Sequence, residues 1–406
     1  MDIAEAQRVL EDLRQGIPPD GYIRHFTVGR KTEIDKLDEL FKSGRPIALL
    51  IKANYGTGKT HLLRYIREIA LEEGFAVSLI TLDAKSAIRF NRMDQIFGAV
   101  IRNVEIPGYS GKGPSTLFEA LYHTLNSSIR DTKRLKLLNE LHNYGKWDQT
   151  TLLASPSLFI AIRAWITGKD HQEDCKIFPQ EVEGWISEPW VYYTQTNMLL
   201  NKFIRRGRLY FRDPRLVYGP APGRIATFDF RAYDYQQAWD GLKDLDTISK
   251  LLGFKGMVLL VDEFEDVIYN LRKGRKDPQI DAFYNLFSLF KGRYPGYSFY
   301  AVTPDFTQTC KRLLLDKGYY DFDYSRFDQL ATFEMSPLGL NDLKLLADRI
   351  IEVYTIAYHQ NPVEDNIIKI DHLLEELDPR PIEDKTRLAI RRIVRCLDDF
   401  YYEETG

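Results

Sequence analysis

The sequence predicts an α/β fold: a parallel sheet flanked by helices, with a large helical insertion and a C-terminal helical lid. Three observations predict it. Short apolar runs alternate with segments of helical periodicity, the pattern of a parallel sheet. The stretch from Leu82 to Met257 is far longer than the dozen or so residues a crossover needs, so part of it must be an inserted subdomain. From Leu340 onward the pattern is helical throughout, with no strand.

The elements follow in order. Ala4 to Leu13 repeats apolar residues at helical spacing until Gly16, Pro18 and Pro19 break it. Arg30 to Leu40, just after Val28 and Gly29, reads as a second amphipathic helix ending before the turn Gly44, Arg45, Pro46. Ile47 to Ala53 is a nearly continuous apolar run bounded by turn residues, which suits a strand buried on both faces. His61 to Glu73 is helical and Gly74 stops it; Ala76 to Leu82 is a second strand. Further strands are expected at Met257 to Val261, Tyr297 to Val302 and Ala331 to Met335. Within the insertion, Ser115 to Asn126 and Ser155 to Thr167 read as helices and Arg205 to Arg224 as loop. The implied segments are an N-terminal helical lead (1–45), a first core part (46–106), the mainly helical insertion (107–245), a second core part (246–336) and the lid (337–406).

Composition narrows the function classes. Of 406 residues, 44% are hydrophobic, enough for a large core rather than a disordered chain. Lys and Arg number 55 against 58 Asp and Glu; the net charge of −3 gives no global attraction to nucleic acid or an anionic membrane. Cys175, Cys310 and Cys396 form no CxxC pair, which argues against a zinc knuckle or disulfide framework and for the reducing cytoplasm. Met1 to Gly16 lacks the layout of a signal peptide, and no apolar run approaches the roughly 18 residues of a membrane span.

The strand Ile47 to Ala53 runs directly into Asn54, Tyr55, Gly56, Thr57, Gly58, Lys59, Thr60 and a helix. This strand–turn–helix context is what a phosphate-binding loop requires: glycines turn backbone N–H groups inward and the helix start adds its positive end. Lys59 would reach the β- and γ-phosphates and the Thr60 hydroxyl would ligate Mg²⁺. Ala53 stands where the pattern has its first glycine, a difference of one methyl group at the strand end.

Met257 to Val261 ends in Asp262 and Glu263, carboxylates at the carboxyl edge of a strand, where parallel sheets bind ligands. Asp262 would hold Mg²⁺ through water, and Glu263 would deprotonate the attacking water. Glu265 and Asp266 read as a solvated first helical turn. Thr303, at the tip of Tyr297 to Val302, is either a contact to water or γ-phosphate or a plain turn residue. That tip is expected between the two preceding motifs. Arg326 is either an arginine finger for a neighbouring subunit or a solvated residue. Arg387, Arg391 and Arg395 share one helix face and suit nucleotide, nucleic acid or acidic partners alike. Arg205, Arg206, Arg208, Arg212, Arg215 and Arg224 stand against the single acid Asp213 with Tyr210, Phe211 and Tyr218 interleaved. This suits single-stranded nucleic acid; a structured hairpin paired with acids elsewhere is the alternative.

With these motifs placed, the chain resembles the ATP-binding proteins of BREX-type bacterial phage-defence systems, themselves similar to AAA+ origin-recognition and initiator ATPases. The resemblance runs through Leu13 to Pro18, Val28 to Arg30, Tyr55 to His61, Trp165 to Gly168, Leu252 to Gly256 before Val261 to Glu263, and Thr386 to Val394. It implies an AAA+ P-loop NTPase core with ATP held by Val28, Gly29, Asn54, Tyr55, Gly56, Thr57, Gly58, Lys59, Thr60 and His61. It also implies a lid helix whose Arg387 senses phosphate. Ala53 and the unmatched stretch from Tyr218 to Phe230 depart from the family pattern. Unlike initiator ATPases, the chain is expected to stop after the lid, with no room for a winged-helix DNA-binding domain. The implied activity is Mg²⁺-dependent ATP hydrolysis by a cytoplasmic protein of a defence complex. Its expected partners are other defence proteins, further copies of itself, and DNA through Arg205, Arg206, Arg208 and Arg212. A nucleotide-gated scaffold with little hydrolysis is the rival, and a small-molecule kinase lacks any sign of an acceptor pocket.

Overall fold

Asp2 and Glu5 close a reciprocal capping box on the first helix, α1 (Ile3–Gln15): the Glu5 N–H donates to Asp2 Oδ1 at 2.8 Å and the Asp2 N–H to Glu5 Oε2 at 3.0 Å. The computed structural model describes residues 1–82, 88–127, 131–142, 146–147, 151–170, 179–190, 210–211, 230, 232–265, 278–359, 364–377 and 382–405. After α1 come α2 (Lys31–Ser43), β1 (Ala48–Lys52), α3 (Lys59–Glu72), β2 (Ala76–Thr81), α4 (Met93–Arg102) and β3 (Val104–Glu105). The next stretch holds α5 (Pro114–Asn126), α6 (Thr132–His142), β4 (Lys146–Trp147), α7 (Pro156–Asp170), α8 (Pro179–Ser187), β5 (Tyr210–Phe211) and α9 (Ala232–Leu251). β6 (Met257–Asp262), α10 (Pro278–Phe290), β7 (Tyr297–Val302), α11 (Phe306–Asp316), α12 (Ser325–Asp328) and β8 (Thr332–Glu334) precede three long helices. These are α13 (Leu340–Tyr358), α14 (Glu364–Leu377) and α15 (Ile382–Thr405).

Six strands form one mostly parallel sheet in the order β3-β2-β6-β7-β1-β8, with β7 between β6 and β1 as the order of elements suggests. β1 pairs with β8 in parallel, Leu50 opposite Thr332, and β2 pairs with β6 in parallel, Ala76 opposite Met257. Every residue of β6 and β7 is buried, the condition of central strands covered on both faces. β3 is an antiparallel edge strand beside β2.

The chain divides into two compact units. The first comprises Met1–Arg45, Leu49–Ile69 and Phe299–Gly406. Its apolar core joins α1 to the last three helices: Val9, Leu10 and Leu13 pack with Leu343, Ile350, Leu374, Ile393 and Leu397. Burying each such side chain contributes about 1.5–3 kcal/mol. Arg14 adds a fork to Asp398, with Nε and Nη2 donating to its two oxygens at 2.9 and 2.8 Å. Such paired bonds fix the register of α1 against α15.

The second unit comprises Pro46–Ala48 and Ala70–Ser298. Here α4 packs on α9, Phe97 stacking on Phe230 at 5.0 Å, and α7 packs on α8. The Asp244 carboxylate accepts the backbone N–H groups of Ala154 and Ser155 at 2.8 and 2.7 Å, capping the entry to α7. Among the described residues, no helix is long and apolar enough to cross a membrane.

Candidate phosphate-binding site

β1 ends at Lys52, and the next residue, Ala53, donates its N–H to the Val302 carbonyl at 3.1 Å. Ala53 is buried, so its methyl group completes the strand end. The loop then closes on itself: the Thr57 N–H and hydroxyl both donate to the Asn54 carbonyl, at 3.4 and 2.6 Å. Gly56 has φ +73° and Gly58 φ +96°, conformations that a side chain would strain, and α3 starts at Lys59. Lys59 Nζ donates to the Ala53 carbonyl at 3.0 Å and lies 4.6 Å above the Tyr55 ring. Tyr55 itself is exposed. Two φ-positive glycines, an ammonium and a helix start together make a cradle for an anion. The Thr60 hydroxyl adds the oxygen donor that Mg²⁺ prefers, so this donor set fits a magnesium nucleotide.

Behind the loop lies a buried arginine. Arg30 Nη2 donates to the Thr57 carbonyl at 2.7 Å, and Nη1 donates to Glu33 Oε1 at 3.1 Å and to the Ser336 carbonyl. Arg30 and Glu33 are each only 6% exposed, so the pair is interior rather than a surface salt bridge. Neither is among the site residues that the sequence predicts. The available signal was an acid three residues after an arginine that follows Val28 and Gly29.

Gly29 has φ +63°, and a Cβ there would fall 2.4–2.7 Å from the carboxylate atoms of Asp342. Asp342 accepts the Gly339 N–H at 2.9 Å, so the carboxylate pressed on Gly29 also caps α13. Val28 lies in the apolar core that α1 shares with the last three helices. His61, on the first turn of α3, bonds through Nε2 to the Thr27 hydroxyl at 2.8 Å. Burial, followed by the charges of Arg30 and Arg64, pulls the His61 pKa down to about 4.

The other candidates of the first unit have local partners of their own. Thr303, nearly buried, gives its hydroxyl to Asp305; this bond and then that from Thr309 hold the Asp305 carboxyl below its ordinary range. Arg326 Nε donates to Asp323 Oδ2 at 3.2 Å in a partly exposed i,i+3 pair. Arg387 packs its Cγ against Gly16, and Arg391 Nη2 donates to the Gln15 carbonyl at 2.8 Å, closing the end of α1. The exposed Arg387 and Arg391 therefore meet the C-terminus of α1 as well as solvent.

In the second unit, Asp262 closes β6 and is 5% exposed, its backbone carbonyl accepting the Leu82 N–H at 3.0 Å. The Glu263 N–H donates to Asp262 Oδ1 at 3.0 Å, and Glu263 adopts φ +52°, a strained turn for a residue with a side chain. Glu265 corrects the sequence-based expectation. It is 2% exposed and buried beside Phe264, whose ring meets Phe90 edge-on at 4.7 Å, so it does not belong to a solvated turn. Asp266 and the arginines Arg205, Arg206, Arg208, Arg212, Arg215 and Arg224 lie outside the described residues.

A family model described as BREX system ATP-binding protein BrxC/D matches residues 2–134 and 231–401, most of the chain. The chain belongs to this BrxC/D family. ATP binding in a BREX defence system is its function at that level. The two BrxC/D stretches include the whole loop from Ala53 to Thr60 and the acidic end of β6. The arginine-rich segment falls between them. No curated protein and no solved structure shows a significant match.

Proposed function

We propose that this BrxC/D family chain binds ATP at the Ala53–Thr60 loop and hydrolyses it with Mg²⁺. One observation carries the reading: a φ-positive glycine loop with Lys59 at its close runs from a buried strand into α3. Lys59 would neutralise the outer phosphates, and the Thr60 hydroxyl and Asp262 carboxylate would hold Mg²⁺. The bound ion supplies charge stabilisation at the transferring phosphoryl group. Glu263 would take the proton of the water that attacks the terminal phosphorus. Its support is its place directly after the buried Asp262, in a backbone conformation that costs about 1–2 kcal/mol and so is maintained by its surroundings.

Arg326 is proposed to act on a neighbouring subunit's nucleotide and Arg387 on its own. The arginines Arg205, Arg206, Arg208 and Arg212 are proposed to contact DNA phosphates, so that nucleotide state controls assembly on DNA. The test is ATP turnover by the full chain with Mg²⁺ or with chelator, in the absence and presence of duplex and single-stranded DNA. Magnesium-dependent turnover is the expected result. Tight ATP binding with no turnover in any of these conditions would make the chain a nucleotide-gated scaffold instead.

A further inference from the structure

The two ends of a trans peptide unit point in opposite directions: where the C=O faces one way, the N–H of the next residue faces the other. The Thr57–Gly58 peptide is held by its carbonyl, which accepts a charged hydrogen bond from Arg30 Nη2 at 2.7 Å. That bond draws the carbonyl to the Arg30 side of the loop and turns the Gly58 N–H to the opposite side. Gly58 has φ +96°, so the peptide occupies a conformation that the bare loop would adopt only among several.

Arg30 is well placed to hold it. Its guanidinium is fixed by Glu33 at 3.1 Å within α2 and by the Ser336 carbonyl, while Glu33 Oε1 accepts the Ser336 N–H at 3.3 Å. The result is a closed ring of bonds among Arg30, Glu33 and Ser336 at the strand exit after β8, from which Arg30 Nη2 reaches the phosphate loop. Met335, one residue before Ser336, is itself bonded to the Lys52 carbonyl at 3.0 Å at the end of β1. Three residues after Ser336, Gly339 opens α13.

We propose that Arg30 is a positioning residue for nucleotide phosphate, acting through the Thr57–Gly58 peptide rather than by touching the ligand. Ser336 carries the same constraint to the start of the C-terminal helices. The inference rests on the Ala53–Thr60 loop being the nucleotide site. It assigns the arginine a role distinct from that of Lys59: Lys59 supplies charge, and Arg30 supplies the direction of a backbone donor.

The test replaces the buried pair as a unit, Arg30→Met with Glu33→Met, because exchanging both partners for apolar residues leaves no unpaired charge and keeps the fold. Melting temperature without nucleotide reports the fold, and calorimetric titration with ADP and ATP reports the loop. Arg30→Lys is the second variant: it keeps a charge for Glu33 but lacks the fork that reaches Thr57 and Ser336 together. Both should melt near the wild type and bind nucleotide about tenfold to a hundredfold more weakly, with a smaller nucleotide-induced rise in melting temperature. Wild-type affinity in both, with Lys59→Ala having lost binding, would overturn the role of Arg30 and leave the site standing. Binding retained by Lys59→Ala would remove the phosphate site itself. Weakening that merely tracks a lowered melting temperature across both variants would show a structural role and overturn the proposal.

Discussion

Thr27 Oγ1 stands 2.8 Å from His61 Nε2 and gives its one proton to the Ile23 carbonyl, also at 2.8 Å. The imidazole must therefore donate, which makes it the Nε2–H tautomer and ties the start of α3 to the turn before Val28.

A pH dependence follows. The folded pKa of His61 is pulled down to about 4, against about 6.5 in an unfolded chain. Between those values the unfolded state binds a proton that the folded state refuses. Stability from this group is thus complete above about pH 6.5 and is lost as pH falls toward about 4, by at most about 3 kcal/mol. Urea unfolding across that window should show a shallower loss in His61→Gln than in the wild type. Parallel profiles would dissociate His61 from the effect.

Lys59→Ala should raise the Kd for ATP by at least about a hundredfold, since its ammonium is the main cationic contact to the outer phosphates. The fold should be retained. Calorimetry giving an unchanged Kd would exclude the loop as the site.

Glu263→Gln should keep ATP affinity and lose about a hundredfold or more in turnover, because the amide preserves shape without accepting the proton. Glu263→Gly should lose turnover equally yet melt no lower, since glycine suits φ +52° without strain. Wild-type turnover in either variant would move the base elsewhere, with the buried Glu265 the first residue to try.

Gly29→Ala should destabilise the chain by about 2–3 kcal/mol, from backbone strain at φ +63° and the clash with Asp342. Asp342→Ala should cost about 1 kcal/mol through the lost cap of α13. Because removing the carboxylate removes the clash, the double variant should be less damaged than the sum. Strict additivity in denaturant melts would show that the two residues do not communicate.

Mixing inactive chains separates the two arginines. Arg326→Ala combined with Lys59→Ala should recover part of the turnover, each chain supplying what the shared site lacks, whereas Arg387→Ala with Lys59→Ala should recover much less. A chain that remains monomeric with ATP at working concentration would end the trans assignment.

The parts of the fold legible in the sequence are those whose signal is local. Met257 to Val261 is apolar at every residue and Tyr297 to Val302 is apolar or aromatic at every residue but Ser298, and both are wholly buried strands. The capped helix at Ala4 to Leu13 extends only slightly further, Ile3–Gln15. Ala331 to Met335 shortens to Thr332–Glu334 because just those residues pair with β1. β3 was not legible: two residues carry no alternation, and pairing with Val77 and Ser78 defines it.

Arg30 was not legible for a different reason. Its burial depends on Ser336, 306 positions away, and no pattern within α2 shows that. For Glu265 the run of acids predicts solvent, and its burial contradicts that. Here Phe264 enters the core beside Phe90 and the next residue goes with it. The site's chemistry is written in short motifs, whereas the groups that hold those motifs are distributed along the chain.

The clasp between Arg14 and Asp398 spans 384 positions, and this separation has a meaning during synthesis. Growing at about 5–20 residues per second, a nascent chain completes α1 roughly 20–80 s before α15 emerges to meet it. Through that interval Ala6, Val9, Leu10 and Leu13 form an apolar stripe whose native cover does not yet exist. The first helix to be made is thus among the last to be docked. A ribosome-bound chain should bind a holdase through this stripe and release it only when the C-terminal helices arrive.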